Sequence, residues 1–137
     1  MSYGAGEALQ GAVYQRLPGW PALTDLVGGA IYDAVPAGAL PALYVALGPD
    51  LARDRSDISG SGAEHEFTVS VVTEAAGFAG AKAVAAAVSD ALVGADLALA
   101  RGRLVALGFY RAKAQRIDGG ARRRIELSFR ARVDDGI

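Results

Sequence analysis

Apolar positions recur along the chain in three rhythms, each of which predicts a different element. Leu9, Val13 and Leu17 return every fourth residue beside small Ala5, Ala8 and Ala12, which predicts a helix over 7–17 that Pro18-Gly19 ends. Gly11 inside that helix costs about 1 kcal/mol relative to Ala, so the helix is expected to depend on packing and to use Gly11 for a close backbone approach. Trp20-Pro21 opens a short helical turn with Leu23, Leu26 and Val27 inward, and Gly28-Gly29 stops it. The second full helix is predicted over 78–93, its stripe formed by Phe78, Ala81, Val84, Ala85, Val88 and Leu92.

The strand rhythms lie between and after these helices. The stretch from Gly29 to Gly48 holds a short strand over 30–33, a loop over 34–41 broken by Pro36, Gly38 and Pro41, and a continuous apolar strand over 43–47 that calls for cover on both faces. Residues 49–62, rich in turn formers and mixed charges, read as a long mobile loop. Over 64–73 the pattern alternates, with Phe67, Val69 and Val71 on one face and Glu66, Thr68 and Ser70 on the other. A strand over 103–117 starts with Val105 and Leu107 inward. A bulge at Gly108 then shifts the phase, so that Tyr110, Ala112 and Ala114 face in. After the Asp118-Gly119-Gly120 turn, residues 122–133 alternate cleanly, with Arg123, Ile125, Leu127, Phe129, Ala131 and Val133 on one side. The sum is an α+β fold: a mostly antiparallel sheet of four or five strands packed by two main helices, in one domain over 1–137.

Composition narrows the setting. A chain of 137 residues can bury about two-thirds of its unfolded surface without a metal or a disulfide, and with no cysteine it has no thiolate chemistry. The first ten residues lack the basic and apolar regions of an export signal, and the most apolar tract, 83–100, is cut by Ser89, Asp90 and Asp96. Net charge is -1, but residues 1–100 carry four basic and eleven acidic side chains (-7) and residues 101–137 carry ten basic and four acidic (+6). Such asymmetry marks a polar interaction surface, and self-association through oppositely charged parts is one explanation.

Candidates for chemistry are few. His65 is the only histidine and shares the parity of Phe67, which suits a structural role better than a metal site or triad. Tyr32-Asp33, Asp54, Asp57, Glu64 and Glu66 supply carboxylates at strand ends and in a loop, where solvated charge is the ordinary finding. The glycine clusters at 60–62 and 119–120 lack the lysine and following helix of a phosphate loop. The strongest feature is the C-terminal hairpin, on which Arg111 and Lys113 join Arg122, Arg124, Arg130 and Arg132 on one face. Like charges across a sheet oppose pairing, so either a partner of opposite sign relieves them or solvent does. A nucleic-acid module is the alternative, weakened by a near-neutral chain and by the absence of an aromatic residue on that arginine face.

The order of segments resembles the tail terminator, or tail-completion, proteins of long-tailed phages and gene transfer agents. The likeness is carried by Gly29-Ala30-Ile31-Tyr32-Asp33 with Pro36, by Pro41 to Gly48, by the Glu64-His65 strand opening, by the Gly77-Phe78 helix start and by the closing strand from Arg123 to Val133. It implies a non-enzymatic protein without cofactor, catalytic residue or metal, whose copies form a closed ring, typically of six. That ring would stop growth of the tail tube, contact the major tail tube protein, and offer a docking face to the head–tail connector or stopper protein. DNA would pass through its lumen without specific binding. The resemblance further implies assembly in the bacterial cytoplasm and a place at the neck end of a tail, away from any membrane. The expected subunit or tube contacts are Asp54, Arg55, Asp57 and Ile58 in the 49–62 loop, with Arg111, Lys113, Arg122, Arg124, Arg130 and Arg132 on the hairpin.

Overall fold

A computed structural model describes residues 3–55 and 62–135. Two helices lead, α1 (Gly6–Arg16) and α2 (Pro21–Val27), followed by β1 (Ile31–Tyr32), β2 (Leu43–Asp54), β3 (Gly62–Thr73), α3 (Ala79–Leu92), β4 (Arg103–Ile117) and β5 (Arg122–Asp134). The fold is α+β. Its sheet has five strands in the order β1-β2-β3-β5-β4, antiparallel throughout except for the short parallel pair β1–β2. Three helices stand among the described residues, where two main ones were expected.

Register explains how one face of the sheet became the core. Val69 lies opposite Leu127 and Leu47, Val71 opposite Ile125 and Val45, and Phe67 opposite Phe129, so the alternation of three strands coincides. Phe129 is fully buried, stacked on Phe67 at 5.5 Å between ring centroids and met edge-on by Phe109 at 6.1 Å. Onto this face α3 lays Ala81, Val84, Ala85, Val88 and Leu92, the stripe expected from its period, and α1 adds Leu9 and Val13. In α2, Pro21 occupies the start, Leu23 and Val27 pack against the core and Leu26 is 46% exposed, because seven residues give only one inward stripe. Tyr44 and Ala46 on the other face of β2 are also buried, in a small second cluster with Ala30 and Val72, which supplies the two-sided cover that its apolar run demands.

Two expectations fail for identifiable reasons. The 49–62 stretch is not a loop up to residue 54: after a bulge between Leu47 and Asp50, β2 continues opposite β3 through Asp54–Ala63, and the Arg55 amide donates to the Gly62 carbonyl at 2.8 Å. Pro49 falls within the bulge, where a missing amide donor is tolerated, and beyond it the strand is mostly polar and largely exposed. Gly11 makes no close approach either, since a Cβ built there meets nothing within 4 Å.

Candidate interaction surface

The sheet face away from the helices collects the charges. Register puts Arg111, Lys113, Arg122, Arg124, Arg130 and Arg132 on this one face, as expected. β3 sends Glu64 and Glu66 to the same face, opposite Arg132 and Arg130. The Glu64 carboxylate lies 3.9 Å from Arg53, Arg55 and Arg130 alike, while Arg130 Nε donates to Glu66 Oε1 at 3.4 Å. Arg124 pairs with Glu126 at 3.0 Å and Arg122 with Asp118 at 3.2 Å. Much of the repulsion that the sequence implies is thus relieved inside the subunit by carboxylates of β3, β5 and the connecting turn. Arg111 and Lys113 make no ion pair among the described residues.

In β4, Ala112 and Ala114 lie opposite Leu127 and Ile125, on the helix-facing parity expected of them, but Tyr110 does not. The register shifts fall between Leu104 and Ala106 and between Phe109 and Arg111, so Gly108 is paired, with Arg130, and Tyr110 is the extra residue of a bulge. Instead of facing in, Tyr110 is 43% exposed and lies under the Arg130 guanidinium, whose carbon is 3.5 Å from the ring centroid. An aromatic residue therefore does stand on the arginine face. Val105, also expected inward, is 49% exposed for the same reason. Phase after a bulge depends on which partner residues pair, and no apolar period in β4 reveals that.

The remaining expected contacts divide. Arg55 joins the Glu64 group, whereas Asp54 lies in register with Ala63, on the helix-facing parity. Asp57 and Ile58 lie outside the described residues. His65 is buried at 1% exposure on the helix side, stacked against Tyr3 at 6.0 Å, and neither ring nitrogen has a hydrogen-bond partner. Burial holds its pKa below the ordinary value, against a smaller opposing pull from the charge of Asp50. That environment belongs to a packed ring. Among the described residues no group of three or more His, Cys, Asp or Glu could hold a metal ion, and no helix is long and apolar enough to cross a membrane.

The family described as Tail completion protein gp17 matches residues 11–134. No curated protein matches. Among solved structures, a chain of the virion of a native gene transfer agent particle superposes with a TM-score of 0.92 at 61% identity, over 97% of this chain and 99% of that one.

Proposed function

This chain belongs to the tail-completion protein family, and we propose that it is a non-enzymatic structural component of a phage-like particle, a ring of identical copies that ends the tail tube at its neck. One observation carries this reading: the 61% identity to a chain of a native gene transfer agent virion, held over almost the full length of both chains. A ring built by head-to-tail contacts needs two different surfaces on each copy, and the sheet offers two unlike edges. The chain's partners on this reading are further copies of itself, six to the ring, the tail tube protein below and the connector or stopper above. The arginine face and the β2–β3 end around Arg53, Arg55 and Glu64 are among its contact surfaces.

Tyr110 beneath Arg130 favours one other reading, a nucleic-acid surface on which a base stacks. Solution mass and negative-stain images, taken at low and high salt with and without DNA, separate the two. Closed rings without DNA support tail completion; a monomer that gains mass only when DNA is added supports the alternative. Arg124→Glu with Arg130→Glu should weaken subunit or tube association, and unchanged assembly would assign those arginines to the subunit's own ion pairs.

A further inference from the structure

The two flanks of the sheet differ in charge and in shape. At one end of the strand order, β4 is a 15-residue edge strand whose charged side chains, Arg103, Arg111, Lys113 and Arg116, are all basic. It also exposes apolar surface, with Phe109 half-exposed and Ala112 and Ala114 beyond the helix layer. A long, unpaired strand with exposed apolar side chains calls for cover. At the other end, α1 and the chain after β1 enclose an open groove lined by Tyr3, Glu7, Gln10, Gly11 and Asp33. Its charged groups, Glu7 and Asp33, are both acidic; Gln10 Nε2 donates to Asp33 Oδ1 at 2.6 Å, and beside the groove the Tyr3 hydroxyl donates to Asp50 Oδ2 at 2.5 Å. Gly11 keeps the groove floor free of a side chain.

We infer that this acidic groove receives the β4 edge of a second copy of the chain, with Arg111 and Lys113 of one subunit facing Glu7, Asp33 and Asp50 of the next. The inference rests on the ring reading and names its contact. Arg111 and Lys113 stand two residues apart on one strand face, roughly 6–7 Å along it, and among the described residues neither pairs with a carboxylate of its own subunit. Because basic edge and acidic groove lie on opposite flanks, each copy presents both halves of the contact, and the contact repeats from copy to copy.

Charge reversal on each flank tests this. Arg111→Glu with Lys113→Glu makes both flanks acidic, and Glu7→Lys with Asp33→Lys makes both basic. Each double variant alone should assemble roughly tenfold or more weakly than the unaltered chain at low salt. An equal mixture should assemble again, as rings in which the two variants alternate, because every contact in the mixture is complementary. Recovery in the mixture shows at the same time that both variants are folded, and circular dichroism of each checks it separately. If the unaltered chain forms rings and either variant alone forms them equally well, or the mixture stays dissociated, the groove contact is wrong and the ring reading survives. An unaltered chain that is monomeric throughout overturns both.

Discussion

Single residues show where the backbone is constrained and where it is open. Gly102 leads into β4 with φ +78°, and a Cβ there would stand 3.1 Å from Val133 Cγ1 and 3.2 Å from the Asp134 carbonyl oxygen. Gly102→Ala is expected to cost about 1–3 kcal/mol, from the left-handed backbone and the crowding together, measurable by urea unfolding. Gly11 is the opposite case. It has helical backbone and open space, so Gly11→Ala should stabilise the chain by up to about 1 kcal/mol. If the groove beside α1 takes a neighbour, the same substitution weakens assembly, and stability and association move in opposite directions. His65 adds a pH dependence. Its unfolded imidazole titrates near the ordinary 6.5 and its folded one lower, so below that pH the unfolded chain binds more protons and stability falls until the folded value is passed. With both ring nitrogens unpartnered, His65→Leu sacrifices no hydrogen bond. The variant should lose less thermal stability than the unaltered chain between neutral pH and pH about 5. Equal losses would assign the whole slope to carboxylates.

At the scale of elements, legibility followed the strength of the period. α3, β3 and β5 could be read from sequence because each has one buried and one polar side, and the observed register preserves those sides. The arginine face was legible for the same reason. The outer half of β2 was not, since it is held by its ladder to β3 and not by burial, and a polar strand of that kind carries the composition of a loop. In β4 the places of the two bulges, at Val105 and Tyr110, were hidden, which concealed the contact between Tyr110 and Arg130. That contact can be measured against the neighbouring ion pair. A double-mutant cycle on Arg130 and Tyr110 should give a coupling of about 0.5–1 kcal/mol, little affected by salt. The cycle on Arg130 and Glu66, both partly exposed and 3.4 Å apart, should give less than about 1 kcal/mol and shrink as salt rises. A larger, salt-sensitive term from the ion pair would reverse the roles assigned to the two contacts.

At the scale of the whole molecule, a subunit with unlike flanks cannot satisfy both of them alone. Its basic β4 edge and acidic α1 groove stay solvated in a monomer, and under the proposed contact neighbours on both sides would cover them. On the ring reading proposed above, folding and assembly are linked by mass action: a ring made only of folded chains draws the folding equilibrium toward the native state as protein concentration rises. For a neighbour present at about a hundred times its dissociation constant the gain is about 2.7 kcal/mol. The thermal midpoint of the unaltered chain should therefore rise with concentration, and more steeply at low salt, where the charged flanks attract most strongly. The Arg111→Glu, Lys113→Glu variant should keep one midpoint over the same range, equal to that of the unaltered chain when dilute, because the substituted side chains hold no ion pair within the described subunit. A midpoint of the unaltered chain that does not move, together with a monomer's mass at every concentration, would show that the two flanks are solvated surfaces. A variant midpoint already lower at high dilution would instead assign Arg111 and Lys113 a part in the stability of the single subunit.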